Sequence, residues 1–411
     1  MAKLTIDNFG PIKNAEFELK KVNVFIGQQG EGKSCVMKIA AFCMWVEKVY
    51  LSGEIVDLQS DLSPKAFVEK YLLEFYKLAD FAKISENQYS IIAYNNDGKF
   101  KININLKKNS EKWMEIVDIE SILQPRRIAY IPAERSIVST IPNLSEIKVQ
   151  NTNLFKFLVD WENAHKLYSA KNKLNILGLN AEYFYDEKSR IDYLTVKDNG
   201  VETNIKMTNA ASGFQSLVPI YILTNYYLNT ANILSIKEKQ RIDDLKKILE
   251  YYSSKMQDDV VKMVQSNINH LNNNRNCNIF LEEPEVNIFP DIQYRLIKFL
   301  FSTLNNGYDN TLSIATHSPY ILTVIDNLIY AAKVGKIRPE KVKEIVLDKE
   351  WMPIENVSAY YLNNGKVLSI IDDELGEIDP ALIDKISHVI NHEYDLIRDI
   401  EYETEEHRRT A

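Results

Sequence analysis

The chain has 411 residues, room for roughly two or three domain-sized units, and its 45% hydrophobic and 26% charged residues indicate a globular protein with a large core. The net charge of −8 argues against a generally basic nucleic-acid-binding protein, although a local basic groove stays compatible with it. No apolar run approaches the ~20 residues of a membrane span and the first residues alternate as in a strand, so we expect a cytoplasmic protein without a membrane partner. Three cysteines, Cys35, Cys43 and Cys277, lack disulfide or zinc-site spacing and are expected to be small buried side chains.

The chain begins with a predicted sheet that leads into a glycine-rich loop. The strands are predicted over residues 4–6, 15–19 and 22–26, with Phe9-Gly10-Pro11 as a turn. The loop, Gly27-Gln28-Gln29-Gly30-Glu31-Gly32-Lys33-Ser34, follows the third strand and precedes a predicted helix over Cys35–Val49.

This loop has the complete pattern of a phosphate-binding loop. Gly27, Gly30 and Gly32 let the backbone curl so that several N–H groups point at phosphates, and the positive end of the helix adds to that attraction. Lys33 is placed to reach the β- and γ-phosphates, and Ser34 to ligate Mg²⁺. Because a strand precedes the loop and a helix follows it, the pattern predicts a nucleoside triphosphate site and disfavours a chance glycine-rich turn.

Two insertions of mixed structure follow the first helix. The first, about 54–125, combines an apolar helical pattern with alternating strands joined by the hairpin turn Asn95-Asn96-Asp97-Gly98. A short apolar strand over residues 127–132 separates it from the second, 136–207. Residues 136–190 look largely helical and polar, and a hairpin around Asp198-Asn199-Gly200 completes the second insertion.

The segment Ala211-Ser212-Gly213-Phe214-Gln215-Ser216 opens a long apolar helix, and helical structure is predicted over 217–270. Small residues at a helix start expose free N–H groups to an anion, although taken alone the segment is simply a good helix N-cap. A third insertion, about 231–272, contains the charged stretch 236–249, which predicts a solvent-facing helical pair too short for a long coiled coil.

An apolar strand, residues 277–281, ends abruptly in Glu282-Glu283-Pro284-Glu285, where a parallel sheet places its functional groups. Glu282 is suited to hold Mg²⁺ or its water, and Glu283 is placed to polarise an attacking water. The alternative is an acidic helix N-cap, but the phosphate loop favours the functional interpretation. The strand and helix alternation over 277–334 predicts an α/β core with parallel strands.

Thr316-His317-Ser318-Pro319 ends a second apolar strand, residues 311–315, before another helix. His317 therefore faces the same edge of the predicted sheet as the acidic pair. Its imidazole could hydrogen-bond the γ-phosphate and sense whether it is present.

Taken together, these motifs resemble those of ABC-type ATPase heads, in the order phosphate loop, Ser-Gly-x-Gln signature, acid-terminated strand and switch histidine, over nearly all of 1–333. Within that group, the segments Phe280–Glu285, Thr316–Pro319 and Ala211–Ser216 look most like the overcoming-lysogenization-defect proteins and phage-defence ATPases. The resemblance implies a P-loop NTPase fold with an antiparallel β lobe, a parallel core sheet and helical insertions.

The same resemblance implies ATP and Mg²⁺ as cofactors and a head-to-tail homodimer or higher oligomer that sandwiches two ATP molecules. In that arrangement Ser212, Gly213 and Gln215 belong to the nucleotide site, where Ser212 and Gly213 contact the γ-phosphate held by the other protomer's Lys33. Glu283 and His317 would be the catalytic residues, with Ser34 and Glu282 as metal ligands.

The chain departs from the resembled group at three places. Glu282 stands where transporter heads have Asp, and Asn287 lies in a turn where relatives often carry histidines. A clear glutamine lid is missing; residues 131–136 occupy its place, so Glu134 or Arg135 is the candidate replacement.

The expected domains are an ATPase domain over 1–333 and a small α/β extension with an acidic tail over 334–411. About 78 residues after the last motif helix leave little room for the nuclease domain of overcoming-lysogenization-defect proteins. Asp372-Asp373-Glu374 is interpreted as an exposed turn, not as a metal cluster, because no upstream strand-end acid accompanies it.

Three functions are compared. The favoured one is an ATPase that dimerises on ATP and regulates a separate toxin or nuclease effector in bacterial anti-phage defence, with DNA or a phage protein as trigger. The alternatives are a DNA-maintenance or repair ATPase that clamps DNA and an ATP-regulated nuclease subunit. A clamp needs a long heptad arm, which 136–207 is too short to supply. A function in transport has even less support than these alternatives.

Overall fold

The computed structural model describes residues 2–52, 62–118, 126–141, 152–198, 200–229, 276–372 and 374–378, together with a few isolated positions. The strands of the described residues are β1 (Ala2–Phe9), β2 (Ile12–Leu19), β3 (Val22–Gly27), β4 (Ile91–Asn96), β5 (Phe100–Asn105), β6 (Met114–Asp118), β7 (Arg127–Ile131), β8 (Leu174–Asn175), β9 (Ala181–Asp186), β10 (Ile191–Asp198), β11 (Val201–Lys206), β12 (Cys277–Glu282), β13 (Thr311–Thr316), β14 (Val357–Asn363), β15 (Lys366–Ser369), β16 (Ile371–Asp372) and β17 (Glu377–Ile378).

The helices of the described residues are α1 (Lys33–Leu51), α2 (Pro64–Val68), α3 (Ile137–Thr140), α4 (Asn153–Ala164), α5 (Ser212–Asn229), α6 (Pro290–Leu304), α7 (Pro319–Gly335) and α8 (Pro339–Lys343). Helix α2 continues into a π-helical turn, Glu69–Glu74. None of the helices in this described part is long and apolar enough to cross a bilayer.

The central sheet has six strands in the order β15-β14-β3-β13-β12-β7. Strands β14, β3, β13, β12 and β7 run parallel, and β15 pairs antiparallel with β14 at one edge. Every residue of β3, β12 and β13 is buried, which explains why these strands are mostly apolar in sequence, with a few buried polar residues such as Asn23, Asn278 and Ser313.

The central sheet separates two hydrophobic cores. On one face Val22, Val24 and Ile26 pack with α5, α6 and α7; on the other, Phe25 packs with α1 and a five-stranded antiparallel sheet, order β2-β1-β4-β5-β6. A four-stranded antiparallel sheet, order β11-β10-β9-β8, joins the first core. An α/β P-loop fold with an antiparallel lobe and a parallel core sheet is thereby confirmed.

Two features of the predicted organisation are corrected. The predicted boundary after residue 333 does not separate two sheets, because β14, which lies beyond it, pairs with β3, the strand that precedes the phosphate loop. The described part of 136–190 is not largely helical: after α4 the chain forms β8 and β9, and β9 pairs with β10. Strand β8 has only two residues and depends on its pairing with β9, whereas β9 contains Tyr183, Phe184 and Tyr185, which favour a strand.

The first insertion supplies β4, β5 and β6 to the sheet that β1 and β2 begin, so it is part of the antiparallel lobe. Its predicted hairpin turn is confirmed between β4 and β5, where Asp97 and Gly98 take positive φ angles of 53° and 73°. Most of the third insertion, including the charged stretch 236–249, lies outside the described residues.

Candidate nucleotide site

The phosphate loop joins the end of β3 to the start of α1, and its glycines are required by geometry. A Cβ on Gly27 would lie 2.3 Å from the carbonyl oxygen of Leu362 in β14, so only glycine fits there. Gly30 and Gly32 take left-handed φ angles of 84° and 95°, which side chains disfavour. The loop therefore curves as a phosphate-binding loop must.

Lys33 is buried at the first turn of α1, and its ammonium bends back over the loop. It donates to the carbonyl oxygens of Gly27 at 2.9 Å and Gln28 at 2.8 Å and lies 3.4 Å from His317 Nδ1. Burial lowers the pKa of Lys33, and the nearby acids Glu283 and Glu285 oppose that shift. The negative charge of a bound triphosphate would stabilise the protonated form of Lys33, which burial by itself disfavours.

Glu282 ends β12 as a buried carboxylate whose orientation is set by two donors. The Tyr130 hydroxyl donates to Glu282 Oε1 at 2.6 Å, and the Ala133 N–H donates to Oε2 at 3.3 Å. Burial raises the pKa of Tyr130 well above its ordinary value, so the phenol stays a neutral donor.

Glu283 is turned away from the strand direction by a positive φ of 42°, an uncommon angle for a residue with a side chain. Its N–H still donates to the Ala315 carbonyl at 2.7 Å, so the kink follows directly after the sheet pairing. Glu283 Oε1 lies 3.5 Å from His317 Nε2. Lys33, His317 and Glu283 thus form a continuous chain of polar contacts from the phosphate loop to the acid-terminated strand.

Glu285 holds the loop that carries His317. Its carboxylate accepts from Thr316 Oγ1 at 2.8 Å and from the His317 N–H at 2.6 Å. No motif in the sequence indicates this role of Glu285, which lies three residues after Glu282.

The chemistry of these side chains fits the cofactors that the sequence predicts. Ser34 is half-buried in the first turn of α1 and offers a hydroxyl, and Glu282 offers a carboxylate. Mg²⁺ commonly uses few protein oxygens together with phosphate oxygens and waters. Within the described ranges no group of three or more His, Cys, Asp or Glu side chains is placed to hold a metal ion.

The predicted signature segment begins α5. Ser212 is exposed, and Gly213 lies against the Asn287 carbonyl, where a Cβ would come within 3.1 Å. The Gln215 amide donates to the carbonyls of Met207 and Thr208 at 3.0 and 3.2 Å, so within one chain it holds its own loop. Helices α5 and α1 pack on opposite faces of the central sheet, which separates this segment from the phosphate loop of the same chain.

The two candidates for the lid are placed differently. Glu134 is exposed, whereas the Arg135 side chain is fully buried and donates to backbone carbonyls. Arg135 is therefore unavailable as a mobile lid. Sequence reasoning missed this role of Arg135, and also Tyr130 and Asn287, because each acts through partners that are distant in the chain.

The fold and this edge of the sheet define an α/β P-loop protein with a candidate triphosphate site. No family model matches the chain, and no curated protein matches it.

Solved structures similar to the chain include an SMC head domain from Thermotoga maritima, with 10% identity and a TM-score of 0.38 over 90% of this chain and 97% of that one. The recombination mediator RecF is similar with 9% identity and a TM-score of 0.36, over 90% and 97%. An ATP-binding cassette of an ABC transporter, in its ADP conformation, gives 9% and 0.27, over 90% of each chain. Similarity at this level assigns no function.

Proposed function

We propose that this protein is an ABC-type ATPase that binds Mg²⁺ and ATP, dimerises head to tail on ATP and hydrolyses it. The observation that supports this best is the series of polar contacts from Lys33 through His317 to Glu283. These contacts, at 3.4 and 3.5 Å, join the phosphate loop to the acid-terminated strand.

The chemistry follows from the positions of these side chains. Lys33 and the loop N–H groups would bind the β- and γ-phosphates, and Glu283 would accept a proton from the attacking water. His317 lies between the two and contacts both, so it can respond to the γ-phosphate. Bound Mg²⁺ would neutralise charge that develops on the phosphates.

The head-to-tail dimer is supported by the position of the signature segment. Ser212 is exposed at the start of a helix, where free N–H groups attract an anion. Because α5 and the phosphate loop's helix α1 lie on opposite faces of the sheet, a second copy of the chain is the simplest source of a signature segment for each loop.

The finer part of the proposal is that the dimer works in the cytoplasm and regulates a separate toxin or nuclease effector in anti-phage defence. It rests on the resemblance of the motifs described above. The described part of 136–207 forms the compact helix α4 and a small sheet, which favours this function over a DNA clamp with a long arm.

The decisive experiment uses Glu283→Gln, which should slow hydrolysis and leave ATP binding intact. We expect this variant to change from monomer to dimer on adding ATP and Mg²⁺, as measured by light scattering after size exclusion. Glu355→Gln, an exposed acid near β14, is the matched control and should behave as the wild type. A Glu283→Gln variant that binds a fluorescent ATP analogue and stays monomeric would contradict the dimer.

A further inference from the structure

Arg135 is a charged side chain buried completely in the interior. It lies in the 3₁₀ turn Ala133–Ser136, directly after β7, and its exposed fraction is 0%. Burial lowers the pKa of Arg135 to about 10, so the guanidinium remains charged at neutral pH. A buried charge of this kind is costly unless it is fully paired.

The guanidinium is paired with backbone carbonyls from two functional segments. Nη1 donates to the carbonyl of Glu282 at 2.8 Å, and Nη2 donates to that of Glu283 at 2.8 Å. Nε donates to the carbonyl of Ser216 at 3.0 Å, and Nη1 also lies 3.4 Å from the carbonyl of Pro132. Arg135 therefore ties the end of β12 to the beginning of α5.

A second contact joins the same two segments. Asn287, two residues beyond Glu285, donates from Nδ2 to Ser216 Oγ at 3.3 Å, and its carbonyl lies against Gly213. Asn287 takes a left-handed φ of 59°, which asparagine tolerates better than most residues. The acid-terminated strand and the signature segment are thus connected twice, at the first turns of α5.

These two segments would serve different ATP molecules in the proposed dimer. Glu282 and Glu283 would act on the ATP held by their own Lys33, whereas Ser212 and Gly213 would contact the ATP held by the partner. A shift of α5 on contact with the partner's ATP would pull directly on the backbone of Glu282 and Glu283 through the guanidinium.

We propose that Arg135 is a positioning residue that couples the two ATP sites of the dimer. It does so by fixing the backbone of Glu283 to helix α5, which begins with the signature segment of the same protomer. This inference rests on the proposed function. The planar fork of the guanidinium is required, because Nε and both Nη nitrogens bond at once to carbonyls on both segments.

Arg135→Lys separates this role from simple charge compensation. Lysine keeps the positive charge near Glu282, Glu283 and Glu285, but as a single ammonium it cannot hold both segments in the same geometry. Arg127→Lys is the matched control: Arg127 lies at the other end of β7 and donates from Nη2 to the Tyr227 carbonyl of the same helix α5, at 2.6 Å.

We expect the wild type to hydrolyse ATP cooperatively, with a Hill coefficient above one and no greater than two, since the dimer has two ATP sites. In Arg135→Lys the Kd for a fluorescent ATP analogue should stay within about threefold, while kcat falls about tenfold or more and the Hill coefficient falls to one. Arg127→Lys should keep both the rate and the cooperativity. Asn287→Gly, which keeps the backbone angle and removes the amide, should shift cooperativity in the same direction by a smaller amount.

The proposal is overturned if the wild type is not cooperative, or if Arg135→Lys keeps wild-type cooperativity. It is also overturned if ATP affinity, kcat and thermal midpoint all fall together, since that pattern shows a purely structural arginine. If Arg135→Lys fails to fold, Asn287→Gly decides: unchanged cooperativity in that variant overturns the coupling. Failure of the proposed function would appear separately, as a Glu283→Gln variant that binds ATP without dimerising.

Discussion

Two buried tyrosine–glutamate pairs lie at opposite ends of the central sheet. At the carboxyl edge of the strands Tyr130 donates to Glu282 at 2.6 Å; at the amino edge Tyr94 donates to Glu47 at 2.7 Å. The hydrogen bonds are nearly identical, and both phenols have a pKa raised well above the ordinary value by burial.

The surroundings of the two pairs differ. Glu282 is followed by Glu283 and Glu285, which face Lys33 and His317, so several ionisable groups meet at that edge. The second oxygen of Glu47 accepts from the Asn96 amide at 2.7 Å, which completes a pair of neutral donors, and burial raises its pKa. A buried carboxylate alone is therefore a poor indicator of a site; direct contacts among ionisable side chains, as among Lys33, His317 and Glu283, are a better one.

The amino edge also contains a cavity of about 590 Å³, lined by Glu47 and by residues at the strand starts. Much of its polar lining is already paired within the chain: Thr311 Oγ1 donates to Asn278 Oδ1 at 2.8 Å, and Arg126 is paired with Asp309. The cavity by itself would favour the amino edge as a binding site, whereas the direct contacts among Lys33, His317 and Glu283 favour the carboxyl edge, and we give these contacts the greater weight.

The largest effect is expected for Lys33→Ala, which removes the cation of the phosphate loop. ATP hydrolysis should fall by about 100-fold or more, because phosphate charge loses its fixed partner. Lys21→Ala, at the amino edge, should keep full activity in the same phosphate-release assay. Hydrolysis at the wild-type rate in Lys33→Ala would show that the loop is not the triphosphate site.

The two tyrosines offer an intermediate test. Tyr130→Phe leaves Glu282 without its hydroxyl donor, so the Mg²⁺ concentration for half-maximal hydrolysis should rise about tenfold. Tyr94→Phe should cost about 1–3 kcal/mol of unfolding free energy and leave the Mg²⁺ dependence unchanged. If both variants changed the Mg²⁺ dependence equally, the distinction between the two edges would fail.

The smallest effect concerns Glu47 and depends on pH. Because burial raises its pKa, the folded protein keeps this proton to higher pH than the unfolded chain does. The corresponding stabilisation is complete below the unfolded-state carboxyl pKa and is lost as pH rises through the folded-state pKa. Glutamine does not ionise, so the stability of Glu47→Gln should not fall in this pH range. In urea unfolding the variant should have a higher free energy of unfolding than the wild type at neutral pH, but not at acidic pH. A gain that is the same at both pH values would disprove the raised pKa.

Much of the fold could be predicted because its core strands are buried on both faces. Strands β3, β12 and β13 are mostly apolar in sequence, and helices α1, α6 and α7 follow them as the predicted alternation of strands and helices requires. Strand β8 could not be recognised because it has two residues and exists only through its pairing with β9. Strand β9 was missed because polar turns on both sides hide its strand-favouring aromatic residues, Tyr183, Phe184 and Tyr185. Strand β14 reads as an ordinary strand, but only its partner β3 shows that it belongs to the central sheet.

The candidate site divides in the same way. Gly27, Lys33, Glu282, Glu283 and His317 stand in recognisable local patterns, since backbone curvature, phosphate charge and strand ends each demand particular residues nearby in the chain. Tyr130, Arg135 and Asn287 have no such pattern, because their partners lie up to 152 residues away.

The sequence by itself determined the phosphate loop, the acid-terminated strand and the parallel α/β core, because each depends on residue spacing within a short segment. Only the tertiary structure decided which residues beyond 333 complete the sheet and how the signature helix connects to Glu283. Those features arise from strand pairing and from one buried guanidinium. Contacts between residues so far apart in the chain produce no local sequence pattern by which they could be predicted.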